Sequence, residues 1–97
     1  MTENQLQDLI RKTTPLTEAS FYILISLVEP LHGYGVMQKV LELSCNRVTL
    51  GPGTLYGALT NLVSQGLIEA VDGVGGERKK LYRLTENGKR IAEYEVR

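Results

Sequence analysis

The sequence predicts a mainly α-helical domain carrying one small β-hairpin, and three observations say so. Apolar residues recur at helical spacing in successive stretches up to Gly66. Pro15, Pro30, Pro52 and Gly66 fall at the boundaries of those stretches, as punctuation does. Two short strand-like runs near the end are separated by a glycine-rich turn. With 97 residues, 42% hydrophobic and 23% charged, the chain is long enough for one folded domain with a modest core and far from the composition of disorder.

Each element can be justified in order. Leu6, Leu9 and Ile10 form an i, i+3, i+4 triplet with Gln5, Asp8, Arg11 and Lys12 around it, a short amphipathic helix that Pro15 ends. Thr17 is placed to cap a second helix, with Glu18 in its first turn and a largely apolar run from Phe21 to Val28, so this helix should be central; Pro30 closes it. After a turn at His32-Gly33-Tyr34-Gly35, Val36, Val40 and Leu43 with Met37 and Leu41 give helical spacing again, leaving Gln38, Lys39 and Glu42 outside. A fourth helix should begin near Pro52, because the missing N–H of proline has no intrahelical partner to lose in a first turn. It would turn Leu55, Ala58, Leu59, Leu62 and Val63 inward and Gly53, Tyr56, Gly57, Thr60, Asn61 and Ser64 outward.

Gly66 stops that helix, Leu67 to Val71 reads as a strand, and residues 72–77 as a glycine-rich turn. A second strand, Lys79 to Leu84, should return antiparallel, with Tyr82 and Leu84 toward the core, Lys80 near the tip, and Leu81 and Arg83 on the other side. Thr85 is placed to cap a last helix running to Arg97. The second, third and fourth helices would pack around Phe21, Leu24, Leu27, Val40, Leu59 and Leu62. This order describes a winged helix-turn-helix: a three-helix core, a two-stranded wing, and short N- and C-terminal helices. The division is 1–15 for the N-terminal helix, 16–84 for the winged unit and 85–97 for the C-terminal helix.

Charge is balanced overall, 11 basic against 11 acidic residues, but unevenly placed. No charged side chain occurs from Val48 to Ile68, whereas Arg78, Lys79, Lys80 and Arg83 fall together and Lys89 and Arg90 follow. A local field acts over about one Debye length, ~8 Å at physiological salt, so distribution outweighs the sum. A polar, uncharged helix face beside a cationic hairpin implies nucleic acid: the helix can enter a major groove while the hairpin sends cations to flanking phosphates.

Other chemistries are poorly served. His32 is the sole histidine, so it has no histidine partner for a metal site or dyad and reads as a turn or packing residue. Cys45 stands alone, with no internal disulfide to make, and reads as a plain thiol near a helix end. The glycines from 73 to 76 lack the Lys-Ser or Lys-Thr that would follow a phosphate-binding loop and read as a wing tip. No clustered carboxylates suggest catalysis, and no cofactor is called for. Neither a membrane-length apolar stretch nor a signal pattern is present, so no membrane partner and a cytoplasmic location are expected.

The motifs Leu16-Thr17-Glu18-Ala19, Pro30-Leu31-His32-Gly33-Tyr34-Gly35, Leu50-Gly51-Pro52-Gly53-Thr54-Leu55-Tyr56, Gly66-Leu67-Ile68 and Tyr82-Arg83-Leu84-Thr85-Glu86-Asn87-Gly88 resemble the PadR-like family of transcriptional regulators. The resemblance spans roughly Leu16 to Gly88. It implies a homodimer, usually a repressor, that binds a pseudo-palindromic double-stranded operator and is released in some members by small hydrophobic or phenolic molecules. Carried onto this sequence, it points to Tyr34, Gly53, Thr54 and Tyr56 for DNA contact. Thr60 and Asn61 come next, since an amide pairs bidentately with adenine and a threonine methyl touches thymine. Arg78, Lys79 and Lys80 would neutralise phosphates. In the family the last helix helps to build the dimer. Here it is short and thinly apolar, so Ile91 and Tyr94 would be joined by Leu6, Leu9 and Ile10 of the first helix, with an effector between the two helices against Tyr94. A competing reading keeps the same fold as a protein-protein interaction module, with the basic run a solvated face and Tyr56 an ordinary half-buried aromatic.

Overall fold

A computed structural model of the chain describes residues 2–13, 16–72 and 80–96. Its elements run α1 (Glu3–Thr13), α2 (Glu18–Ser26), β1 (Leu31–His32), α3 (Gly33–Leu43), α4 (Pro52–Ser64), β2 (Ile68–Asp72), β3 (Lys80–Leu84) and α5 (Glu86–Val96). The architecture is the expected winged helix-turn-helix, with one addition. Leu31, given no element from sequence, and His32, assigned to a turn, form a strand paired antiparallel to β3, so the sheet has three strands in the order β1-β3-β2. Two residues have no period to read, and the pairing becomes visible only once β3 is in place opposite them, Leu31 against Tyr82 and His32 against Leu81. Helix α3 then starts at Gly33, within the four residues assigned to the turn.

The local signals act as read. The Thr17 hydroxyl accepts from the Ser20 amide at 3.1 Å and caps α2. Pro52 opens α4. Gly66, at φ 76°, ends it in a Schellman turn, in which the Leu67 amide bonds the Leu62 carbonyl at 3.0 Å and the Gly66 amide the Val63 carbonyl at 2.9 Å. Helix α3 ends the same way without a glycine: Cys45 and Asn46 both take positive φ, and their amides return to Glu42 and Leu41. Cys45 is therefore an exposed thiol in a helix-terminating turn.

The core is formed by Ile23, Leu24, Leu27, Val36, Val40, Leu50, Leu55, Leu59, Leu62, Leu67, Ile68 and Ile91. Each fully buried aliphatic of this kind contributes roughly 1.5–3 kcal/mol of transfer free energy. Phe21, expected among them, is only half-buried and lies edge-on to Tyr22, ring centroids 5.9 Å apart, outside the cluster. Ile23 takes the inward place, because two residues along a helix turn the side chain by about 200°. Leu41, Leu43 and Val63 were also expected inside and are 36%, 37% and 39% exposed. Leu41 and Val63 each follow a buried residue directly, so each is rotated off the buried stripe.

The wing root is fastened from below by α5. The Thr85 hydroxyl accepts from the Gly88 amide at 3.0 Å, capping the helix, and donates to the Gly66 carbonyl at 2.6 Å. Gly88 sits so tightly on this junction that a Cβ there would lie 1.8 Å from the Leu67 carbonyl oxygen. Ile91, one turn on, is fully buried.

Candidate nucleic-acid interface

Helix α4 divides into two faces. Leu55, Leu59 and Leu62 are at most 1% exposed, whereas Gly53, Thr54, Tyr56, Gly57, Thr60, Asn61 and Ser64 are all exposed. The outer face carries hydroxyls and an amide but no charge. A Cβ added at Gly53 or Gly57 would meet nothing within 4 Å, so no packing among the described residues explains either glycine. Mid-helix glycine costs about 1 kcal/mol relative to alanine. At Gly57 the fold gains nothing in return.

Tyr56 leans out of this face toward the start of α3. Its phenol oxygen would lie 2.6 Å from a Cβ at Gly33, so that a side chain there would push the Tyr56 ring aside. There α3, α4, β1 and β3 enclose a pocket of about 320 Å³ lined by His32, Gly33, Tyr34, Tyr56, Lys80 and Tyr82. The His32 Nδ1 lies 3.2 Å from the Lys80 carbonyl oxygen, and since a carbonyl only accepts, this contact makes Nδ1 the protonated nitrogen. The Tyr34 hydroxyl accepts from Gln38 Nε2 at 3.3 Å, which leaves its own proton to donate. Burial first, and the neighbouring Tyr56 phenol second, raise the Tyr82 pKa above the ordinary phenol value, holding it as a neutral donor.

The basic residues of the C-terminal part are not equivalent. Arg83 is paired with Glu69, directly opposite it on β2, and Arg90 with Glu86 one turn back on α5 at 3.8 Å. Among the described residues no carboxylate pairs with Lys80, which is exposed at the open end of β3. Arg78 and Lys79, together with the wing-tip glycines 73 to 76, lie outside the described residues.

The residues expected at a dimer contact separate into two groups. Leu6, Ile10 and Tyr94 line a common concave surface with Gln7, Arg90 and Glu93 where α1 meets α5, enclosing about 280 Å³. Leu9 is half-buried and packs against the core. Ile91 differs: its side chain is wholly inside this chain's own core and leaves no surface for a second copy. Ile91 and Tyr94 were expected together at a dimer contact, but α5 sends the first into this chain's own core and leaves the second 44% exposed.

Sequence reading missed His32, Gly33 and Tyr82 as parts of the α3–α4 pocket. The signals were present, a glycine beside a histidine and a tyrosine of inward parity, but they were assigned to a turn and to the core. Among the described residues no group of acidic, histidine and cysteine side chains could hold a metal, and no helix is long and apolar enough to cross a membrane.

With this geometry in view, the comparisons with known proteins agree. The model of the transcriptional regulator PadR-like family matches residues 21–93. A PadR family transcription regulator from Clostridium difficile has the same fold, with TM-score 0.72, 28% identity, and coverage of 82% of this chain and 84% of that one. RosR of H. salinarum aligns with TM-score 0.72 and 26% identity over 87% of this chain and 74% of its own. A 37.1 kDa protein of the transposon TN4556 of Streptomyces fradiae is 35% identical over 80 residues. That match takes in 81% of this chain but only 22% of the transposon protein, so the chain spans about a fifth of that relative's length.

Proposed function

This chain belongs to the PadR-like family of transcriptional regulators, a family of DNA-binding regulators and not of enzymes, and from that premise we propose that it works in the cytoplasm as a homodimeric repressor. Helix α4 reads the two halves of a pseudo-palindromic operator, and a small hydrophobic or phenolic molecule releases it. The observation that supports this reading best is the outer face of α4. It is polar, uncharged and free of intramolecular reasons for its glycines, while three buried leucines hold the helix rigidly from behind. Thr54, Thr60 and Asn61 are the base-reading side chains; Tyr34, Tyr56 and Lys80 hold the flanking backbone, joined by Arg78 and Lys79.

The second copy packs on the α1–α5 surface through Leu6, Ile10 and Tyr94, with Leu9 supporting it from within. That surface also offers the effector an aromatic ring at Tyr94, as the sequence suggested. Residues 1–15 and 85–97 serve assembly in this reading, and 16–84 serve DNA.

The test is selection of binding sequences from random double-stranded DNA at ~150 mM salt, where screening leaves mainly short-range contacts. The expected product is an inverted repeat with half-sites about one helical turn apart. Asn61→Ala should relax the choice of base at one position of each half-site, and Lys80→Ala should weaken all sequences evenly, lowering the salt slope by about one. Absence of enrichment would move the fold to protein-protein interaction.

A further inference from the structure

The pocket between α3, α4 and the sheet has a chemistry of its own, distinct from the base-reading face beside it. Three stretches separated widely in sequence converge on it: the β1–α3 junction with His32, Gly33 and Tyr34, α4 with Tyr56, and β3 with Lys80 and Tyr82. Among the described residues no carboxylate lines it. Lys80 supplies a fixed positive charge and only donors. The Tyr34 hydroxyl has its acceptor side occupied by Gln38 and its proton available. The α3 N-cap, His32, makes no side-chain bond to the first-turn amides, so the positive end of that helix dipole adds to the same field. At about 320 Å³ the space is roughly ten times the share of one water, enough for a tetrahedral anion with part of its hydration.

We propose that this pocket is a seat for one tetrahedral oxyanion, held by the Lys80 ammonium and the Tyr34 and Tyr56 hydroxyls. A backbone phosphodiester fills it when duplex is bound, and free inorganic phosphate fills it otherwise. This deepens the DNA-binding reading and rests on it for the first occupant only. It assigns Tyr56 to the phosphate rather than to a base edge: the ring is laid over Gly33 and lines the pocket with Lys80 and Tyr82 of β3. Because β3 and α4 both contribute, one phosphate would tie the wing to the recognition helix. Free phosphate would then compete with DNA at a single point.

Two measurements on the full chain test this, each comparing wild type with the Tyr56→Phe, Lys80→Gln double variant. Both positions are exposed, so the variant should fold, as circular dichroism can verify. In the first, the selected duplex is ethylated at individual phosphates. One phosphate per half-site should, when ethylated, weaken wild type by about tenfold or more, the scale of one lost charge-assisted contact, and the variant by much less. In the second, inorganic phosphate replaces chloride at constant ionic strength without DNA. The amide resonances of Tyr34 and Lys80 should shift saturably in wild type and not in the variant. Response in the first arm alone gives a seat used only by DNA, and response in the second alone gives a free-phosphate site; both support an oxyanion seat. If wild type binds its duplex, yet ethylation affects both proteins alike and phosphate shifts neither, the seat is refuted while the DNA-binding reading stands. If no duplex is bound at all, that reading fails and the phosphate titration alone decides the seat.

Discussion

Helices α4 and α5 each carry an internal glycine, and the two glycines exist for opposite reasons. At Gly88 the chain leaves no room, since any side chain would run into the Leu67 carbonyl. At Gly57 the chain leaves open space and uses none of it. Helix α5 presses on the base of the wing through Thr85, Gly88 and Ile91, so its sequence is set by contacts inside the fold. Helix α4 meets its internal demands with three leucines, and the rest of its surface answers to something outside. The difference separates residues that make the domain from residues that use it.

The largest expected effect belongs to the first class. Gly88→Ala drives a Cβ into backbone and should cost about 3 kcal/mol or more, read as a lowered midpoint in urea unfolding or as failure to accumulate folded protein. A cost under about 1 kcal/mol would mean that the α5 contact with the wing base is loose. The outward side of α5 comes next. Leu6→Asp with Ile10→Asp should convert a dimer to a folded monomer at micromolar concentration in sedimentation; a dimer that survives the pair would place assembly elsewhere.

Thr85→Ala removes both the cap of α5 and the bond to the Gly66 carbonyl, with an expected loss of about 1–2 kcal/mol. Tyr82 marks the boundary between the two regions and should give the smallest effect. Its folded pKa lies above the ordinary phenol value near 10, so its contribution to stability is complete below that pH and fades as pH rises through the folded value. A spectrophotometric titration should find a tyrosinate forming above the ordinary phenol value, and Tyr82→Phe should remove that step.

What the sequence made legible follows the range of the signals. The ends of α4 were readable because proline at a first turn and glycine after a last one act within a few residues. The Thr17 and Thr85 caps and the parity of β3 were equally local. The α3–α4 pocket was not readable, since His32, Tyr56 and Lys80 are brought together only by the packing of β1 on β3 and of α3 on α4. The same holds for Arg83, which falls in sequence beside Arg78, Lys79 and Lys80 and whose pairing with Glu69 is set only by strand register. For Ile91, an apolar residue in a short last helix could not say whether this chain's own core or a second chain would receive it.

The most direct measurement is Gly57→Ala, followed by both unfolding and DNA affinity. Open space and a helical backbone mean that alanine should stabilise the fold by about 0.5–1 kcal/mol. If the outer face of α4 lies close against DNA, the same methyl should weaken binding of the selected operator by about tenfold, 1.4 kcal/mol in the other direction. A variant that is more stable and binds less tightly would show that this face is shaped for a partner. One that is more stable and binds operator unchanged would contradict the assignment of α4 as the recognition helix.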